Sequence, residues 1–202
     1  MTDYDTEKVK TILREKLDDY RYNHSLGVAS AAEKLGERYG ENPEKAYFAG
    51  LLHDITKNVP RAEQLKIIEK GKGSLTDDEM RNPKLWHAIS GSIYIRDELN
   101  VTDEDIIGAV RYHTTGKDNM TLLERIIYIA DFISEERTFD GVDYMRELAF
   151  ESLDKAAMFA VRFCIPDLVG KGQILHVDSI RLYNELVKKG IKPILQREEE
   201  II

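Results

Sequence analysis

Apolar residues recur along most of this chain at intervals of three and four, the spacing that builds one face of an α-helix, while strict alternation is scarce. Val9, Ile12, Leu13 and Leu17 form the first stripe, and Asp5 or Thr6 ahead of it is a natural helix start. A second helix is predicted from about Asn23 to Tyr39, with Val28, Ala32 and Leu35 inward and Gly40 as its stop. Pro43 opens a third, carrying Phe48, Leu51, Leu52 and Ile55 and bounded by Pro60, which places "DITK" in its last turns. Further helical periods fall near 60–70, 85–99, 102–113, 121–136, 142–149, 151–169 and 178–189. The stretches "GKGS", "GKDN", "FDG" and "GKGQ" between them read as turns. Only "AVRFCIP" and "GQILHV" are short enough to be strand or helix. The fold class expected is all-α, a many-helix globule without internal repeat or linker.

Composition narrows this picture without changing it. Of 202 residues, 42% are hydrophobic and 33% charged, enough to bury one core beneath a hydrated surface. The expected division is an N-terminal helix (1–19) packed on a main domain (20–190), followed by a loose acidic tail (191–202) that ends in "REEEII". A formal charge of -8 opposes binding to nucleic-acid polymers or anionic membranes. It leaves room for a small phosphorylated ligand held by a few local cations or a metal. A single cysteine, Cys164, excludes an internal disulfide framework. The opening "MTDYDTEKVKTIL" lacks a signal-peptide pattern, and no apolar run approaches a membrane span, so a cytoplasmic location is expected.

Candidate chemistry comes from the histidines, His24, His53, His87, His113 and His176, of which the first four fall on predicted helices. His24 precedes Val28 by four and His113 follows Val110 by three, so both extend inward stripes. Asp131 follows Ile127 by four inside "LLERIIYIADFI", where a carboxylate is buried or nearly so. A bare buried carboxylate is costly: either its pKa rises until it is neutral, or it meets a cation. A lone inward histidine is usually a hydrogen-bonded core residue. Four of them with the His53-Asp54 doublet and Asp131 form a mixed imidazole and carboxylate set suited to iron, manganese, cobalt or zinc.

His24, the doublet His53-Asp54 and Asp131, in that order, resemble the H…HD…D signature of HD-domain metal-dependent phosphohydrolases. The segments "RYNHSLGVA", "AGLLHDITK", "LWHAISG", "RYHTTG", "MTLLERIIYIADFISEER" and "LYNEL" are similar to the YqeK-like branch, the symmetrical diadenosine tetraphosphate hydrolases, over about residues 20 to 188. The resemblance implies an HD-domain helical bundle in which His24, His53, Asp54 and Asp131 ligate a divalent transition metal, with iron expected and manganese, cobalt or zinc as alternatives. It also leaves open a second metal held by His87 and His113, which otherwise face the substrate phosphates. Arg21, Lys57 and Arg137 stand three, three and six residues from ligands and are candidate phosphate clamps. The catalytic set expected is Asp54, Lys57, His87 and His113. His24, Asp131, Thr114 with its neighbours Thr115 and Gly116, and more weakly His176, Asp178 and Ser179, are expected to contact nucleotide. Val177 stands where the family commonly has proline, and the plain alternative for Asp178 is an N-cap of the last helix.

The chemistry this implies is hydrolysis of a nucleotide phosphoanhydride, with diadenosine tetraphosphate cut symmetrically into two ADP. Rivals are an HD-type nucleotidase or pyrophosphohydrolase acting on dNMP, dNTP or guanosine tetraphosphate, and a non-catalytic nucleotide sensor with a structural metal. The partner expected is a small nucleotide, with neither nucleic-acid polymer nor membrane, and a homodimer is left open.

Overall fold

Side-chain oxygens of Asp5, Asp18, Asn42, Thr76, Asp103, Thr121 and Ser152 each accept a backbone N–H at a helix start and so divide the periodic stretches into separate helices. The computed structural model describes residues 4–192. The chain runs α1 (Thr6–Lys16), α2 (Asp19–Tyr39), α3 (Pro43–Leu52), α4 (Arg61–Lys70), α5 (Asp77–Met80), α6 (Trp86–Asp97), α7 (Glu104–Tyr112), α8 (Leu122–Ile133), α9 (Val142–Glu151), α10 (Leu153–Gly170) and α11 (Val177–Lys188). There is no strand among the described residues, and the all-α expectation holds.

Helix α8 is the axis of the bundle. Leu123, Ile126, Ile127, Tyr128, Ile129, Ala130 and Ile133 are all buried, so the helix is apolar nearly all round, and α2, α3, α7, α9 and α10 pack against it. Val9 and Leu13 of α1 enter the same core. A smaller cluster, Ile68, Trp86, Ile89 and Ile93, holds α4 to α6.

Small residues let α2 and α3 approach closely. A Cβ added at Gly50 would lie 2.6 Å from Ala29 Cα and 2.9 Å from its nitrogen, contacts with backbone that no rotamer relieves. This close approach brings the end of α3 beside His24. Gly50→Ala is expected to force the helices apart at a cost of about 1–3 kcal/mol, the range for overpacking a core. Denaturant unfolding reads this, and an unchanged midpoint would mean that the seam has slack.

Several boundaries differ from expectation. Asp18 caps α2, which starts at Asp19 and not near Asn23. Helix α3 ends at Leu52, with His53 as its C-cap, so "DITK" lies beyond the helix in successive turns. The cause is visible in the bonds Ile55 N to Leu52 O, Lys57 N to Asp54 O and Val59 N to Thr56 O, all spanning three residues. His113 likewise sits just past α7. The four-residue α5, capped by a Thr76–Glu79 box, was not anticipated. "AVRFCIP" is helical, inside α10 despite Pro166, and "GQILHV" is a loop leading into α11. The N-cap of α11 is His176, whose Nδ1 accepts from Asp178 N at 3.2 Å, so Asp178 is inside the helix and is not its cap. The "REEEII" tail lies outside the described residues.

Candidate metal centre

His24 comes from the second turn of α2, His53 and Asp54 from the turn after α3, His87 from α6, His113 from the end of α7 and Asp131 from α8. All four imidazoles and Asp54 are buried, and the Asp131 side chain is 19% exposed. His24 Nε2 lies 3.2 Å from His53 Nε2 and 3.1 Å from Asp131 Oδ1. Asp54 Oδ2 is 3.7 Å from His53 Nε2, and its Oδ1 is 3.2 Å from His87 Nε2 and 3.4 Å from His113 Nε2. His87 and His113 bring their Nε2 atoms within 3.2 Å. Two overlapping triads, His24–His53–Asp131 and His53–Asp54–His113, each gather three donor atoms within 4.8 Å.

The tautomers follow from what the other ring nitrogens meet. His53 Nδ1 is 2.7 Å from Gly50 O and His113 Nδ1 is 2.7 Å from Val110 O. A carbonyl can only accept, so each Nδ1 carries the proton and each Nε2 presents a lone pair to the centre. Burial drives the His53 pKa down to about 3, so this ring is a neutral donor near pH 7. Burial also works against charge on His24, but its hydrogen bonds to Asp131 and Glu136 prevail and raise its pKa to about 9. Burial opposes ionisation of Asp54 and Asp131 as well. The imidazoles around them, His53 foremost at Asp54 and His24 at Asp131, nevertheless hold both carboxyls well below the usual range.

Imidazole lone pairs and ionised carboxylates crowd together here, an arrangement that favours a cation at their centre. Asp54 Oδ1 is buried and accepts no hydrogen bond, with Lys57 Nζ 3.4 Å away, so a lone pair is free to bind a cation. The donor set therefore fits a divalent cation of the kind that accepts both imidazole and carboxylate.

Cations line the rim. Arg21 Nη1 is 3.3 Å from Asp54 Oδ2, and Lys57 Nζ lies 3.0 Å from His87 Nε2 and 3.4 Å from Asp54 Oδ1. The i to i+3 bonding that ends α3 makes side chains three apart eclipse, which stacks Lys57 over Asp54. Arg137 donates through Nε to Asp131 O at 2.8 Å and through its guanidinium to Asp131 Oδ1. All three side chains are about 27–31% exposed, open to an incoming anion. Thr114 Oγ1 is buried without a partner, close in sequence to His113. Ser179 Oγ donates to Thr115 O at 2.8 Å, which ties α11 to this segment.

The remaining nucleotide candidates stand in different company. His176 Nε2 is 3.5 Å from Glu79 Oε1, which is paired with Arg111, and Asp178 is 3.2 Å from Arg181. Their polar partners lie outside the histidine cluster. Glu79 and Arg111 were not foreseen from sequence, nor was Glu136, which bonds His24 Nδ1.

The model of the HD domain family matches residues 21–135. The chain is 40% identical over 183 residues to the symmetrical bis(5'-nucleosyl)-tetraphosphatase of Bacillus subtilis, covering 90% of this chain and 97% of that one. It is 36% identical to the protein of the same name from Halalkalibacterium halodurans, covering 89% and 96%. A crystal structure from Clostridium acetobutylicum, described as an HD superfamily hydrolase involved in NAD metabolism, is 39% identical and superposes with a TM-score of 0.88 over 91% of this chain and 97% of that one. The chain belongs to the HD domain family, in the same branch as these tetraphosphatases.

Proposed function

We propose that the chain is a metal-dependent hydrolase of nucleotide phosphoanhydrides that cleaves diadenosine tetraphosphate symmetrically into two ADP, acting in the cytoplasm. The observation that carries the reading is the convergence of imidazole lone pairs on a buried Asp54 carboxylate oxygen that accepts no hydrogen bond, with three cations on the rim. The names of the relatives supply the substrate. His24, His53, Asp54 and Asp131 would hold the cation, which we take to be iron, with manganese, cobalt or zinc as substitutes. When bound, it supplies Lewis acidity and an activated water.

The protein's own groups do the rest. Arg21, Lys57 and Arg137 are paired with Asp54 and Asp131; once a cation neutralises those carboxylates, the three can turn to phosphate oxygens. Lys57 Nζ lies 3.0 Å from His87 Nε2. Burial keeps the His87 pKa low, so this neutral ring orients the ammonium, which can itself donate a proton to a departing phosphate oxygen. His113 presents its Nε2 to the same region, and Thr114, next in sequence, carries a buried hydroxyl with no partner. In this reading residues 20–190 form the catalytic unit, with 1–19 packed on it, and His176, Asp178 and Ser179 border the nucleoside end. A two-cation form has its own support, because His53, Asp54 and His113 also bring three donor atoms together. Metal stoichiometry per chain decides between one and two.

The test is chromatography of an early time point with diadenosine tetraphosphate, dNTPs and nucleoside monophosphates offered separately. ADP as the sole product supports the proposal. Equal AMP and ATP, or turnover confined to dNMP or dNTP, defeats it, and tight binding with no turnover identifies a sensor.

Cation uptake also has an expected pH dependence. The His24 pKa stands above its ordinary 6.5, so its proton stabilises the metal-free fold fully below pH 6.5, and that stabilisation is lost as pH rises through about 9. His53, with its lowered value, disfavours the fold only when pH falls below 6.5 and adds nothing in this window. A cation must displace the His24 proton, so apparent affinity is expected to rise by up to about tenfold per pH unit between 6.5 and 9. Calorimetric titration with Mn2+ at three pH values measures it. A flat profile would mean that His24 carries no displaceable proton.

A further inference from the structure

We propose that Glu136 is a positioning residue for the cation: it holds the Nδ1 proton of His24 and so fixes the tautomer whose Nε2 faces the centre. The inference rests on the reading of His24 as a metal donor. Its reason lies in where the three histidines sit. His53 and His113 lie just past helix ends, where carbonyls of the last turn have no helical N–H to accept, and each ring takes one: Gly50 O and Val110 O. His24 is in the interior of the 21-residue α2, where the carbonyls one turn back already accept helical N–H groups. Its Nδ1 needs an acceptor from outside the helix.

The loop after α8 delivers one. Glu136 Oε1 hydrogen-bonds His24 Nδ1, and Ser134 Oγ donates to the same oxygen at 2.6 Å. Gly27, one turn along α2 from His24, makes the space: a Cβ there would stand 2.6 Å from Glu136 Oε2. Arg146 of α9 fixes the loop through the carbonyls of Ile133, Ser134, Glu135 and Arg137 at 3.2, 3.0, 3.3 and 2.9 Å. The same clamped loop therefore carries both the His24 acceptor and the Asp131 partner Arg137. An ionised acceptor also makes the imidazole a stronger donor to a cation than a carbonyl does.

The experiment is titration of metal-free protein with Mn2+ and with Co2+, paired with the imidazole 15N shifts of His24 and a melting curve for each variant. Glu136→Ala is expected to weaken binding 10- to 100-fold, the usual cost of losing such an outer partner. It should also move the His24 shifts, read above pH 9 where the metal-free ring is neutral, away from the pure Nδ1–H form. Glu136→Gln, which keeps a neutral acceptor, should fall between Glu136→Ala and the parent. Parental affinity with unchanged His24 shifts in Glu136→Ala overturns the inference. If Glu136→Ala does not fold, Gly27→Ala serves, because its methyl displaces the carboxylate while the loop sequence stays intact; tenfold weaker binding supports the inference and unchanged binding overturns it. A parent protein that binds neither ion overturns the metal reading itself, and this inference with it.

Discussion

Asp54→Ala is expected to leave the protein folded, deprived of most of its bound cation and without measurable hydrolysis. The carboxylate is buried, one of its oxygens has no hydrogen bond, and three imidazole Nε2 atoms lie within 3.2 to 3.7 Å of it. No other side chain can take its place, since the groups around it are nitrogen bases or cations. Folding should survive because the helical core does not depend on Asp54: the ion pairs lost are with Arg21 and Lys57, both open enough to be hydrated once it is gone. Loss of activity of at least about a thousandfold, equivalent to about 4 kcal/mol of transition-state stabilisation, is the expected scale. Asp54→Asn separates charge from shape, because it fills the same space and still removes the anionic donor. Elemental analysis, a melting curve and product formation read the three parts of the claim. An Asp54→Ala protein with parental metal content and turnover would remove Asp54 from the centre.

The helical pattern reached some of these atoms and not others, for physical reasons. His24 and His113 were legible because each extends an apolar stripe, and both prove buried. Asp131 was legible because α8 has hardly any polar face. His53 and Asp54 were recognised as chemistry but misplaced: a 100° step between neighbours on a helix would turn one of them away, whereas α3 stops at Leu52 and the turn aims both at the centre. Periodicity cannot report such a stop when the apolar stripe continues through Ile55. Lys57 was placed correctly on the face of Asp54, since a spacing of three serves helix and turn alike. Glu136 was invisible because its role depends on a tertiary contact from loop to α2 and on the gap at Gly27, neither of which has a local signature. His176 displaced Asp178 as the cap of α11 through its ring nitrogen, an acceptor that cap preferences rank low.

Lys57→Met tests the catalytic half of the proposal separately from the metal half. The ammonium is 3.0 Å from His87 Nε2 and 3.4 Å from Asp54 Oδ1, while its side chain remains 27% exposed. Lys57 is therefore both a proton holder and a cation that an arriving phosphate can reach. Methionine keeps the length and the apolar stem and removes only the charge and its protons. Metal content is expected to stay at the parental level, because the four proposed ligands are untouched. Turnover should fall about 100- to 1000-fold, the scale of losing one charged contact that strengthens as charge develops on the transferring group, or about 3–4 kcal/mol. If Lys57 acts mainly in the transition state, kcat falls with little change in KM. If it only gathers substrate, KM rises and kcat holds. Steady-state kinetics on the metal-replete variant distinguish these two cases, and unchanged kcat and KM together would reduce Lys57 to a counter-charge for Asp54.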